Sequence, residues 1–292
     1  MKRRLFLQAA GATAVVASPS NLLGALKADN PYRKNIGIQL YTLRNEIGKD
    51  VGATIKAVVD AGYVQGEMYG FPNCDPMIQA AKDSGLALHS SHFEWDSVVS
   101  PKDEGMSDFM KTLEKANEVG LSHLVVPYLH GNTRETLDDY KKLAGNFNKA
   151  AVMAKDAGVT LAYHNHAFEF EPKEGGKTGF DVFTEEFGEE MKFELDVFWV
   201  KVGGVAPVKL MKKLKGRVSQ LHLKDLKRGM QLPNFGSVPA DAFQELGDGM
   251  IKMEPIIKAA AKVGVAHCHV EQDQSPDPIA SIKQSMGYLK AL

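Results

Sequence analysis

"GVTLAYHNHAFEF", residues 158–170, opens on an alternating apolar run and then sets His164, Asn165, His166 and Glu169 within six residues. The run Val159–Tyr163 has the length and composition of a buried strand. Upstream of Gly158 lies "ETLDDYKKLAGNFNKAAVMAKDAG", whose apolar residues recur at helical spacing. Helix, glycine, strand and a polar strand end thus follow one another within one unit, and the fold turns on whether that unit repeats.

It repeats in both directions. Going back, "HLVVPYL" precedes that helix, "LALHSSH" leads to "MSDFMKTLEKANEVG", "VQGEMYG" to "PMIQAAKDSG", and "IGIQLYT" to "VGATIKAVVDAG". Going forward, "KFELDVFWV" leads to "APVKLMKKLKG", "VSQLHLKD" reaches "IKMEPIIKAAAKVG" after a long loop, and "VAHCHVEQD" leads to "PIASIKQSMGYLKAL". Gly62, Gly85, Gly120, Gly158 and Gly264 close helices just before the next strand, where a left-handed residue is favoured. Strict strand–helix alternation implies a parallel sheet. Eight units in about 255 residues match a closed single-domain (β/α)8 TIM barrel, usually about 250 residues. An open doubly wound sheet is the alternative, but no glycine-rich phosphate loop follows the first strand.

The bulk composition narrows the function. Hydrophobic residues make up 44% of the 292 and charged residues 24%, with a formal net charge of −1. That balance gives no basis for wholesale binding to nucleic acid or an anionic membrane. Two cysteines, Cys74 and Cys268, are too few for a disulfide framework.

Residues 1–30 differ from the rest. "MKRRLFLQAAGATAVVASPS" has a basic start and then an alanine-rich apolar stretch, Leu5 to Ala17. It is shorter than the roughly 20 residues that span a bilayer. The layout is that of a secretory signal, and Arg3-Arg4-Leu5-Phe6-Leu7 resembles a twin-arginine export signal. The expectation is a periplasmic protein without a stable membrane anchor, with a signal over 1–30 and the barrel over 31–292. The simpler alternative is an amphipathic N-terminal helix.

In such a barrel the chemistry sits at the C-terminal strand ends. Strand 5 ends in His164, Asn165 and His166, with Glu169 beyond; strand 6 in Asp196; strand 7 in His222, Lys224 and Asp225; strand 8 in Glu271 and Asp273. Glu169 to Asp196 is 27 residues and Asp196 to His222 is 26, each about one unit; His222 to Glu271 is 49 because a loop is inserted from Lys227 to Gly249. Mixed carboxylate and imidazole ligands suit one divalent ion, Mn, Co, Mg or Zn. Such an ion polarises a hydroxy-ketone and eases removal of the neighbouring proton.

Together "GIQLYTLRNEI", "YHNHAFEF", "LDVFW", "LHLKD", "GDGMIKMEPIIKAA" and "VEQD" resemble the sugar phosphate isomerase/epimerase proteins of the xylose-isomerase-like TIM barrel superfamily. The resemblance runs from Ile36 to Leu292. It implies one divalent ion held by a residue from each of strands 5 to 8. Asp196, His222 and Glu271 match three of these positions. At the fourth, many relatives carry glutamate directly at the strand end, where this chain has His164. Either Glu169 folds back as the ligand, which is the expectation adopted, or His164 replaces it. Metal-bound glutamates act as paired acid and base in related epimerases, so Glu271 is expected to share that work with His164 or His166.

The remaining rim residues follow from alternation. Lys224 shares a face with His222 and either neutralises an enediolate oxygen or pairs with a rim carboxylate. Trp199 either stacks on a sugar ring or packs under the long loop. Gln39, Tyr41, Glu67 and His92 are candidate substrate contacts, with His89 and His92 both placed near the rim and each weighed against a scaffold role. Glu194 and His269, each two residues before a candidate ligand, are expected to meet below the metal within about 6 Å. The implied activity is isomerisation or epimerisation of a sugar or keto-sugar through an enediolate. A 3-keto-glycoside or inosose-type lyase or dehydratase on the same scaffold is the alternative, and a non-catalytic sugar-binding barrel the simplest one. An endonuclease IV-like activity needs more strand histidines and a basic face than this chain has.

Overall fold

The computed structural model describes residues 30–292, so the expected export signal lies, but for its last residue, outside the described residues. The repeating unit forms eight parallel strands: β1 Ile36–Gln39, β2 Gln65–Phe71, β3 Ala87–Phe93, β4 His123–Val126, β5 Thr160–His164, β6 Lys192–Asp196, β7 Val218–Leu223 and β8 His267–Val270. Outside them lie α1 Val51–Ala61, α2 Asp75–Ser84, α3 Ser107–Val119, α4 Leu137–Asp156, α5 Gly179–Glu186, α6 Pro207–Lys213, α7 Met253–Val263 and α8 Pro278–Ala291. Strands pair in chain order, and Ile36 of β1 registers with Cys268 of β8, which closes the barrel and rules out an open sheet.

The unit around β5 shows why the chain folds this way. Thr136 and Asp139 form a capping box at the start of α4, satisfying two helix-end amides. One face of α4 buries Tyr140, Leu143 and Phe147. Phe147 stacks on Tyr163 with ring centroids 5.8 Å apart, and each such side chain contributes about 1.5–3 kcal/mol by leaving water. Gly158, at φ 76°, turns the chain from α4 into β5. Along β5, Tyr163 therefore faces the helices and His164 faces the barrel axis.

The barrel interior departs from the usual filling of branched apolar residues. Glu67, Ser90, Glu194, Gln220, His222 and His269 are all fully buried there. Buried polar groups need partners, and Gln220 supplies several: its Nε2 donates to Ser90 at 3.0 Å, Glu194 at 3.1 Å and Glu67 at 3.3 Å. The inserted loop after β7 carries a short antiparallel ribbon, Asp225–Leu226 with Phe243–Gln244. Both cysteines are free and buried. No helix among the described residues is long and apolar enough to cross a membrane.

Candidate active site

Three adjacent strands bring Asp196, His222 and Glu271 together. Asp196 ends β6 and caps the short helix Val197–Val202, its Oδ1 accepting from the Trp199 amide at 3.0 Å. Its own amide donates to Asn165 Oδ1 at 3.1 Å, which ties the strand 5 loop to β6. His222 Nδ1 stands 2.9 Å from Glu271 Oε2. Each of the three residues offers a ligand atom within 4.8 Å of the others. Asp196 Oδ2 is buried without an aligned hydrogen-bond donor, and His164 Nε2 lies 3.9 Å from it. A carboxylate oxygen 3.0 Å from Lys224 Nζ but without an aligned hydrogen bond, set among other oxygen and nitrogen donors, fits a divalent cation.

Lys224 sits among the same carboxylates. Its Nζ is 2.6 Å from Glu271, 3.0 Å from Asp196 and 3.1 Å from Asp273. Burial alone would lower its pKa, but those three anions hold it well above the usual lysine range. Burial would likewise lower His222, yet Glu194 and Glu271 hold it well above its ordinary value. His166 goes the other way: burial, with His164 and Lys224 nearby, keeps its imidazole neutral.

A second layer lies beneath. Glu67 Oε1 accepts from His222 Nε2 at 2.7 Å and from Gln39 Nε2 at 2.7 Å. His92 Nε2 stands 3.1 Å from Glu194. His269 Nδ1 is 4.0 Å from both Glu67 and Glu194, so Glu194 and His269 meet within the distance expected. Burial would raise Glu194, but His222 and hydrogen bonds from His164, His222 and His92 hold it well below the usual carboxylate range.

Above the centre, a cavity of about 380 Å³ is lined by Tyr41, Tyr69, His92, Trp95, Tyr128, His164, His166 and Trp199, together with Lys224, Glu271 and Asp273. Of the expected substrate contacts, Tyr41, His92 and Trp199 line it, whereas Gln39 and Glu67 do not. Both are fully buried one layer below, bonded to each other. Trp199 also packs on Phe243 of the inserted loop, ring centroids 5.9 Å apart, which is the packing role weighed for it. His89 is not at the rim. Its ring stacks 4.7 Å from His267, the first residue of β8, at the opposite end of the barrel.

Glu169 requires the main correction. After His166 the chain makes a 3-10 turn, Phe168–Phe170, that carries Glu169 back toward the helices. Its carboxylate accepts from the Tyr163 hydroxyl and from the His166 amide at 2.9 and 3.0 Å. Tyr163 faces outward, so Glu169 is held away from Asp196, His222 and Glu271, and His164 is the strand 5 side chain beside them. Burial pushes the Glu169 carboxyl up to about 7, against the hydrogen bonds from Tyr163 and His166. The site also draws on Asn165 and Asp273, which the sequence placed at strand ends without a role, and on Tyr69, Trp95 and Tyr128. Asp273 lies two residues after Glu271, which puts both on one face.

Residues 55–292 match the model of the xylose isomerase-like TIM barrel family. Among curated proteins, an inosose dehydratase from Clostridium botulinum is 25% identical over 244 residues, covering 73% of this chain and 78% of that protein. A solved sugar phosphate isomerase/epimerase from Parabacteroides distasonis superposes with a TM-score of 0.72 and 26% identity, over 92% of this chain and 97% of that one. An IolI protein with a bound zinc atom shares the fold, with a TM-score of 0.64 at 13% identity over 88% of this chain and 95% of that one. With its closed barrel, its strand-end residues and a match spanning most of its length, this chain belongs to the xylose isomerase-like TIM barrel family.

Proposed function

We propose that the chain is a divalent-metal-dependent isomerase or epimerase that moves a proton on a sugar or keto-sugar through an enediolate. The observation that carries this is the convergence of Asp196, His222 and Glu271, within 4.8 Å, beside the aromatic-walled cavity. These three hold the ion, and His164 takes the strand 5 position. When bound, the ion supplies Lewis acidity at the carbonyl of a hydroxy-ketone. His166 is neutral and lines the cavity; its Nε2 accepts the proton from carbon. Glu271 shares acid–base duty on the other side of the substrate. Lys224 Nζ donates to the oxygen that gains charge, which a fixed ammonium does at little reorganisation cost. Tyr41, His92 and Trp199 contact the sugar. The likeness to inosose dehydratases supports a second reading, in which the same proton abstraction is followed by loss of a β-hydroxyl. The basic, alanine-rich start supports export to the periplasm by the twin-arginine route.

The test is exchange with solvent deuterium. Metal-loaded protein in D2O with a panel of keto-sugars should exchange one C–H stereospecifically, read by proton NMR. A new alkene or dicarbonyl signal instead would select the dehydratase. Absence of exchange across the panel, with metal bound and sugar binding demonstrated, would overturn both.

A further inference from the structure

We infer that a second divalent ion, structural rather than catalytic, lies inside the barrel one layer below the rim, held by Glu67, Glu194, His269 and His222. The four come from β2, β6, β8 and β7, and each offers a ligand atom within 4.8 Å of the others. Its neighbour is the rim ion proposed above on Asp196, His222 and Glu271, and the inference rests on that site. His222 belongs to both sets and turns a different nitrogen to each. Its Nδ1 stands 2.9 Å from Glu271 Oε2, and its Nε2 stands 2.7 Å from Glu67 Oε1 and 3.2 Å from Glu194 Oε2.

His269 is the residue that calls for a ligand there. It is fully buried, and among the described residues neither of its ring nitrogens has a hydrogen-bond partner. Burying a polar ring without partners is costly. The barrel nonetheless makes room for it. A Cβ on Gly37 of β1 would stand 2.4 Å from His269 Cδ2, so a side chain there would displace the ring. His269 Nδ1 lies 4.0 Å from Glu67 Oε1 and 4.0 Å from Glu194 Oε1. That is too long for a hydrogen bond. Two atoms bound to one zinc ion at about 2.0–2.2 Å each stand up to about 4.4 Å apart, so the spacing suits ligands around an ion.

Charge runs the same way. Glu67 and Glu194 are fully buried, and Lys224 is committed to Asp196, Glu271 and Asp273 at the rim. Among the described residues, the basic groups within 4.0 Å of the two carboxylates are His92, His164, His222 and His269. A water would fill the gap without offsetting these anions, whereas a divalent ion offsets both. On binding, the ion replaces the proton that His222 Nε2 donates to Glu67. That proton leaves to solvent, and the imidazolate bridges the two ions. His92 Nε2, 3.1 Å from Glu194 Oε2, remains as a donor beside them. Imidazole and carboxylate ligands together suit Zn²⁺. None of the four residues lines the cavity, and four protein ligands leave no open position, as in structural zinc sites. The deeper ion thus fixes from below the ring whose Nδ1 meets the rim ion.

The test is zinc content and zinc position. Protein expressed in zinc-supplemented medium and desalted should carry two zinc ions per chain by plasma mass spectrometry. Anomalous diffraction at the zinc edge should show two peaks, one on Asp196, Glu271 and His222 Nδ1, the other on Glu67, Glu194, His269 Nδ1 and His222 Nε2. His269→Phe keeps a ring in the space and should carry one zinc, at the rim. Gly37→Ala removes no ligand but displaces the His269 ring, and should lose the deeper ion as well. A rim peak alone in wild type would overturn the inference and leave the proposed function standing. So would a deeper peak that survives His269→Phe. No zinc at either position would overturn the inference together with the metal-dependent reading. The wild-type maps decide the question even where a variant does not fold.

Discussion

Replacing Lys224 with methionine keeps the volume of the side chain and removes one buried charge. Lys224 is 1% exposed and lies within 3.1 Å of three carboxylates. Deleting one partner of a buried ion pair typically costs about 3–5 kcal/mol, because the remaining charge stays desolvated. At roughly 2–4 °C per kcal/mol for a domain of comparable size, metal-free Lys224→Met protein should melt about 6–20 °C below metal-free wild type. Asp196 and Glu271 are also proposed to hold the divalent ion, so the ion and the ammonium repel while sharing anions. Removing the ammonium should tighten metal binding, and saturating Mn²⁺ should raise the melting temperature of the variant more than that of wild type. The assay is circular dichroism melting of chelator-stripped protein, with and without MnCl2, at one fixed scan rate. A stripped variant melting within about 2 °C of wild type, or a metal-induced rise no larger than that of wild type, would refute the reasoning.

Three further outcomes follow from the same geometry. Glu67→Gln should weaken metal binding about 10–100-fold, as loss of a carboxylate behind a ligating histidine usually does, because Glu67 fixes His222 Nε2 at 2.7 Å; an unchanged affinity in a chelator competition would exclude that role. Glu169, pushed up to about 7 from the ordinary carboxyl value of 4.5, holds its proton more tightly folded than unfolded. Its contribution is complete below about pH 4.5 and lost as pH rises through about 7, up to about 3 kcal/mol. Glu169→Gln should therefore flatten that part of the pH dependence of urea unfolding, and an unaltered pH profile would count against the buried carboxyl. Changing Arg3 and Arg4 together to lysine should leave the protein in the cytoplasmic fraction, and undiminished periplasmic recovery would remove the twin-arginine assignment.

The barrel was legible because each unit repeats a local signal: an apolar run, a 3.6-residue periodicity and a closing glycine. The positions of Asp196, His222 and Glu271 followed from the same regularity, since a strand end one unit on lies beside its neighbour. Glu169 was not legible. Its direction is set by a 3-10 turn and by a hydrogen bond to Tyr163, and neither has a periodic signature. Depth along the barrel axis was also hidden. Alternation places Gln39 and Glu67 on the inner face but does not say which layer they reach, and the irregular pairing of β2 with β3 shifts register at Glu67. Likewise His89 and His92 lie on one strand yet stand at opposite ends of the interior. The role of Lys224 depended on Asp273, whose side chain becomes its neighbour only when β7 and β8 pair.

Anomalous diffraction from crystals of the protein loaded with Mn²⁺ or Zn²⁺ tests the metal centre directly. The account predicts a peak about 2.0–2.2 Å from Asp196 and Glu271 oxygens and His222 Nδ1, with His164 at or next to the coordination sphere and Glu169 still bonded to Tyr163. Glu169 swung onto the ion, or no ion bound by Asp196, His222 and Glu271, would contradict it.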